Sequence, residues 1–321
     1  MKSMWRWLRR RGLFGKRPAP VQGTGLITGF EPYRKIGLHC TYPIRFAPTP
    51  LEEQAAAGAR FPGTCPICGH ETVFDFPAGF ADTLREAMGS LWQGGRGIGS
   101  ALSLLRETGA CAHCHSANRE RQVAYFLNET YKLKKCLSFA DSVVLFNAET
   151  AGVLHAHLAR NKGYRCSEYL GPDYVSGQTV NGVLHEDLQA LSFPDNSVDV
   201  VITRDVLEHV PDPYRAQQEI FRVLKPGGRH VFTAPFYGHL FFDETRAREE
   251  QDGTKHLLPP LYHLNPMDPE RGSLVYTIFA LEMLLKLNRL GFLPALWHIY
   301  APQAGIIGTN ALLFEATKPA K

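Results

Sequence analysis

Apolar positions change rhythm near Ser142. Beyond it, short apolar runs of buried-strand type alternate with stretches whose apolar residues recur at helical spacing. Residues 143–146, Val-Val-Leu-Phe, predict a first strand, and residues 149–160 a helix closed by Asn161-Lys162-Gly163. Residues 164–169 predict a second strand and residues 198–202 another. Asp212 and Pro213 supply an N-cap and a first-turn proline to a helix whose Ala216, Ile220, Val223 and Leu224 share one face. Pro226-Gly227-Gly228 is expected to stop that helix, and residues 230–233 to start a further strand. Leu274, Ile278, Leu281 and Leu285 form a helical stripe opposite Glu282, Lys286 and Arg289. Residues 295–300 and 309–316 are expected to pair as an antiparallel hairpin at a sheet edge. Alternation at this pace predicts an α/β fold with a largely parallel sheet covered on both faces.

The front of the chain reads differently. Residues 1–57 are rich in Pro, Gly and Arg without sustained periodicity and are expected to form a basic leader and linker. A cysteine-bearing segment follows over residues 58–136, broken by the glycine-dense run Gly94-Gly95-Arg96-Gly97-Ile98-Gly99, which predicts a loop. Residues 137–321 hold the α/β pattern.

Composition narrows the classes. With 44% hydrophobic and 21% charged residues, the chain has the make-up of a soluble globular protein. No apolar run approaches the roughly 18 residues needed to span a bilayer, and the start lacks the apolar stretch of a secretory signal, so a cytoplasmic protein is expected. Trp5, Trp7 and Leu8 among arginines leave two alternatives for residues 1–17: peripheral contact with an anionic membrane surface, or a solvated leader. A net charge of +4 without a second basic patch argues against a nucleic-acid partner.

Seven cysteines are present, and four form two Cys-x-x-Cys pairs, Cys65/Cys68 and Cys111/Cys114, with 42 residues between them. An odd total with short paired spacing fits a reducing compartment and a metal site better than disulfides. Four thiolates suit tetrahedral Zn²⁺ in a closed, structural site. His70, His113 and His115 are alternative ligands, and free cysteines in a small core are the bland alternative.

In a doubly wound sheet, ligands lie beyond the carboxyl ends of the strands, so the residues just after each strand are the candidates. Glu168 follows the second strand, where a carboxylate can accept from both hydroxyls of a ribose. Asp187 is placed to accept from an adenine amino group while the Leu188 amide donates to the ring. Asp205 and His209 follow the fourth strand and face the expected cleft, His209 as candidate general base for a substrate hydroxyl. The bland alternatives are surface acids and a histidine that packs its loop.

The ordered set Glu186-Asp187-Leu188, Phe193-Pro194-Asp195, Asp199-Val200-Val201, Glu208-His209-Val210 and Leu224-Lys225-Pro226-Gly227-Gly228 resembles class I S-adenosylmethionine-dependent methyltransferases of the type 11 family. The resemblance runs from about Ser142 to Pro235, and more loosely to Lys318. It implies a Rossmann-like, seven-stranded sheet, with Glu168 on the ribose, Asp187 and Leu188 on the adenine, and Glu149, Gly152 and Asp205 also lining the cofactor site. One loop departs from the family pattern of an acid followed by Gly-x-Gly-x-Gly: here it reads Asn147-Ala148-Glu149-Thr150-Ala151-Gly152. Ala148 and Thr150 are expected to narrow the methionine end of the pocket. Arg106-Glu107, Arg119 and Arg121 around the second cysteine pair resemble zinc-ribbon segments that precede some methyltransferase domains, their guanidinium groups meeting either an anionic partner or nearby acids. The expected activity is methyl transfer to a hydroxyl or amine of a small-molecule or saccharide acceptor, held near residues 235–272 with Tyr237, His239, Tyr262 and His263. The alternatives are a non-catalytic scaffold of the same fold and, third, nucleic-acid modification.

Overall fold

The structure is a computed structural model that describes residues 25–27, 36–40, 48–80, 102, 104–263 and 271–320. Residues 1–17 and the Gly94–Gly99 run lie outside the described residues.

Eleven strands and five helices frame the two candidate sites. The strands are β1 (Gly25–Ile27), β2 (Ile36–Cys40), β3 (Ala59–Thr64), β4 (Glu71–Phe76), β5 (Ala110–Cys111), β6 (Leu145–Asn147), β7 (Tyr164–Cys166), β8 (Val198–Arg204), β9 (Leu224–Thr233), β10 (Leu293–His298) and β11 (Leu312–Thr317). The helices are α1 (Pro50–Ala56), α2 (Asn118–Tyr131), α3 (Gly152–Leu158), α4 (Pro213–Val223) and α5 (Glu282–Arg289).

The main sheet has the order β1-β2-β10-β11-β9-β8-β6-β7. Strands β7, β6, β8 and β9 run parallel, and β11 lies antiparallel to both β9 and β10. Among the described residues the sheet therefore holds eight strands where seven were expected. Two differences produce that count. Beyond β7, pairing shrinks to a single parallel bridge between Glu168 and His185. At the other end, β2 pairs parallel to β10 and β1 antiparallel to β2. Part of the expected leader is thus sheet, and the β10/β11 hairpin is not the edge. Short strands with long-range partners leave little periodicity to read.

Strand β8 shows why the sheet needs two covered faces. Val200 and Ile202 point into one buried cluster, with Leu154, Leu158, Val123, Ala124 and Leu127 from α3 and α2. Val201 points into the other, with Ala216, Ile220 and Val223 of α4 and Met283, Leu284 and Leu287 of α5. Near-continuous burial along β8 fits a central strand between two layers of helices.

Two expected elements are corrected. The stripe from Leu274 is not one helix: Leu274 and Ile278 sit in two-residue strands, and α5 begins at Glu282. Pro226-Gly227-Gly228 lies inside β9 rather than in a turn before it. The ladder to β8 shifts there, from Val198 opposite Leu224 to Val200 opposite Arg229, and Gly227 takes φ +82°. By contrast, α4 starts as expected, with the Asp212 side chain accepting from the amides of Tyr214 and Arg215.

Strands β3, β4 and β5 form a separate antiparallel sheet that carries both cysteine pairs. Its core residues, Phe74, Phe76 and Ile67, join the same cluster as α2 and one face of the main sheet. Helix α1 ties in as well: its Glu52 is fully buried and accepts from the Gly308 amide at 2.8 Å.

Candidate cofactor cleft and cysteine cluster

The parallel strands end along one edge, with the switch in strand order between β6 and β8. Glu168 stands at the tip of β7. Its Oε1 accepts from the Thr150 amide and hydroxyl, both at 2.8 Å. Asp187 follows two residues after the bridge partner of Glu168, so the two acids occupy neighbouring strand ends. The Asp187 carboxylate accepts from the backbone and side chain of Gln189, while its amide donates to Ser176 Oγ at 2.9 Å. Leu188 is buried beside them.

The altered loop is held by charge. Glu149 accepts from Arg204 at 2.6 and 3.0 Å, a two-point contact. Burial lifts the Glu149 carboxyl above the usual carboxylate range, with Arg204 opposing the rise. Glu120 reaches over from α2: its Oε1 accepts from the amides of Val153 (2.9 Å) and Leu154 (3.1 Å), the first turn of α3, and lies 3.5 Å from Arg204. Gly152 sits beneath with φ +91°, and a Cβ there would lie 3.0 Å from Glu120 Oε1. The positive φ favours glycine, and a Cβ there would also press on the Glu120 carboxylate.

Asp205 belongs to the same ionic arrangement. Arg106 donates twice to its carboxylate, at 2.9 and 2.7 Å, and Arg119 donates as well. Glu107 lies 3.0 Å from Arg106 and 3.5 Å from Arg119. Burial pushes the Glu107 carboxyl up, but Arg119 and Arg106 outweigh it and hold the group below the usual range. These arginines thus meet acids, one of the two alternatives left by the sequence. Arg121 does not: fully buried, it donates to the carbonyls of Ala304, Ser116 and Gly305 and lies 4.5 Å over the Phe74 ring.

S-adenosylmethionine can be tested against these groups. At the adenosine end the donor set fits, since two carboxylates at adjacent strand tips match a ribose and an amino edge. At the methionine end the amides that start α3 already serve Glu120, and Glu149 fills the loop with Arg204. Sequence reasoning missed Glu120 and Arg204. A charged residue ending a buried strand, as Arg204 does, was the available signal.

His209 donates Nδ1–H to the Leu274 carbonyl at 2.8 Å, which leaves Nε2 as the free lone pair. Burial pushes its pKa below the usual imidazole value, with Glu208 opposing. In the expected acceptor segment, His263 stands edge-on to His209 with ring centroids 5.0 Å apart, and the Tyr237 and His239 rings lie 5.6 Å apart. Residues 264–270 of that segment lie outside the described residues.

The four cysteines converge as expected. All four Sγ atoms lie within 4.8 Å of one another, with Cys65 and Cys114 at 3.7 Å. A tetrahedron of Zn–S bonds near 2.3 Å has edges of about 3.8 Å, so the donor set fits zinc. The two turns repeat one geometry. Gly69 and His115 both have positive φ and donate back to the Cys65 and Cys111 carbonyls at 2.8 Å. His70 and His113 stack outside at 3.7 Å rather than displacing a thiol.

Comparison with known proteins adds a match over part of the chain. Residues 151–232 match the profile described as methyltransferase domain. These residues are similar to a methyltransferase domain. An uncharacterized methyltransferase of Mycobacterium sp. strain KMS is 47% identical over 55 residues, 16% of this chain and 22% of the relative. One from Mycobacterium marinum is 31% identical over 146 residues, 41% of this chain and 52% of the relative. The chain thus spans between about a fifth and a half of the length of these relatives. Among solved structures, the Burkholderia thailandensis 1,6-didemethyltoxoflavin-N1-methyltransferase overlays with a TM-score of 0.35 at 17% identity, covering 62% of this chain and 78% of that one. That overlay is too distant to add weight. Among the described residues, no helix is long and apolar enough to cross a membrane.

Proposed function

We propose that this chain is an S-adenosylmethionine-dependent methyltransferase that transfers a methyl group to a hydroxyl or amine of a small acceptor. The observation that carries this reading is the pair Glu168 and Asp187 at neighbouring strand tips, beside the switch point of a methyltransferase-type sheet. The bound cofactor supplies a methyl group on a sulfonium, electrophilic without activation. The protein's task is then to hold and align. Glu168 accepts from the ribose hydroxyls. Asp187 and the Leu188 amide read the adenine edge. The loop at Glu149 and Gly152, with Asp205 behind it, sets the depth of the methionine end, and Ala148 and Thr150 narrow it. His209 has only Nε2 with which to take a proton, which an acceptor hydroxyl requires more than an amine does.

We assign the four cysteines to one structural Zn²⁺, with no open position for substrate. Arg121, buried near those sulfurs, offsets part of the negative charge that four thiolates bring.

A second reading, a methyltransferase fold kept for binding or scaffolding, is favoured by one observation: Glu120 occupies the first amides of α3, and Glu149–Arg204 seals the loop beside it. Equilibrium dialysis of the zinc-loaded protein against labelled S-adenosylmethionine separates the two. Saturable uptake of one equivalent supports the transferase. A folded protein that takes up none supports the scaffold.

A further inference from the structure

We propose that Glu208, His209 and His263 form a second, open metal site, separate from the four cysteines, for a divalent transition ion of the Zn²⁺ or Co²⁺ class. Glu208 is fully buried, and among the described residues neither carboxylate oxygen has a hydrogen-bond partner. A buried carboxylate in that condition is costly unless a cation stands against it. Among the described residues, the cationic or coordinating groups within 4 Å of its Oε1 are His209 Nε2 at 3.7 Å and His263 Nδ1 at 3.6 Å.

Those separations are informative. They are too long for hydrogen bonds. Three donors sharing an ion at about 2.0–2.1 Å in tetrahedral geometry stand about 3.3–3.4 Å apart, close to what is seen. All three donor atoms lie within 4.8 Å of one another. The supporting contacts also match a metal site. The Leu274 carbonyl takes the Nδ1 proton of His209, which fixes the tautomer and turns the Nε2 lone pair toward Glu208. The Tyr276 amide donates to the Glu208 carbonyl at 2.7 Å and pins the loop.

Two imidazoles and one carboxylate form a ligand set for zinc or other borderline ions. Three protein ligands leave positions open. His209 and His263 keep 20% and 34% of their side chains exposed, so those positions are reachable from outside. A ligand that offers an oxygen donor, such as water, a hydroxyl or a phenolate, fits there. The site stands on its own geometry; only its use in methyl transfer rests on the proposed function. In that use, the ion acidifies a coordinated hydroxyl, the proton leaves to solvent, and the oxygen forms a bond to the methyl carbon while the carbon–sulfur bond breaks with its electron pair on sulfur. His209 is then a ligand and not a free base.

The test adds Co²⁺ to protein whose cysteine site is already filled with Zn²⁺, followed by absorption spectroscopy and calorimetry. One further equivalent should bind with d–d bands and without thiolate charge-transfer bands. His263→Ala should weaken that binding at least about tenfold while leaving the bound zinc in place, and Glu208→Gln should do the same if it folds. His263→Ala alone suffices, because its side chain is partly exposed. Absence of a second equivalent, thiolate charge-transfer bands, or unchanged affinity in His263→Ala overturns the proposal. Cofactor titration is a separate measurement, so the failure of one proposal does not masquerade as failure of the other.

Discussion

Replacing Asp205 by Asn tests whether the cysteine-bearing segment and the sheet are locked together by charge. Asp205 holds Arg106 and Arg119, from just before and just after the second cysteine pair, against the tip of β8. Asn keeps the shape and tolerates the φ of +49° at this position, so the substitution removes charge without adding backbone strain. Breaking a buried pair costs about 3–5 kcal/mol. Two features reduce that here. The side chains of Asp205 and Arg119 are 14% and 30% exposed, so water recovers part of the loss, and Glu107 stays beside both arginines. We expect a destabilisation of about 2 kcal/mol, read as a lower urea midpoint of the zinc-loaded protein at unchanged slope. A double-mutant cycle with Arg106→Met should return a coupling of about 1 kcal/mol or more. A loss below about 0.5 kcal/mol with additive single mutants would refute the reasoning.

Further outcomes follow from other sites. Gly152→Ala should cost about 1–3 kcal/mol in thermal unfolding, since its φ of +91° and the nearby Glu120 both oppose a Cβ; a neutral effect would contradict the packing described. Cys65→Ser should lower the zinc content measured after gel filtration below one equivalent at the cysteine site, whereas full retention would remove the assignment. His230 is fully buried between Thr203 Oγ1 and Gln217 Oε1, and burial lowers its pKa to about 3. The unfolded chain therefore binds the proton that the folded chain refuses between about pH 6.5 and 3. Stability should fall as pH drops through that window, by about 2 kcal/mol from pH 7 to pH 5. His230→Gln should flatten the profile, and an unchanged slope would count against a neutral buried His230.

The parts of this architecture that could be read from the chain are those with local signals. Apolar runs and helical spacing mark β6, β8, α4 and the β10/β11 hairpin, and Asp212-Pro213 marks where α4 begins. Cys-x-x-Cys spacing marked the two turns, and strand ends pointed to Glu168 and Asp187. What escaped depends on partners far along the chain. Strand β2 is five residues and pairs with β10 more than 250 positions away, so no window around it shows a period. Leu274 and Ile278 mimic a helical stripe because two short strands happen to carry apolar residues at that spacing. The ionic arrangement joins Arg106 to Asp205 and Glu120 to the start of α3, and charge at those positions looks like ordinary surface polarity. The same holds for Glu208, which is fully buried where the Tyr276 amide meets its carbonyl.

The claim at the centre is that Glu168 helps hold an adenosyl group at the tip of β7. Calorimetric titration of folded, zinc-loaded protein with S-adenosylhomocysteine, beside Glu168→Ala, measures it directly. The account predicts one-to-one binding to the unmodified chain, weakened by about 1–3 kcal/mol in the variant, or roughly 5- to 150-fold in Kd. No heat from the unmodified chain, or equal affinity in both, would contradict it.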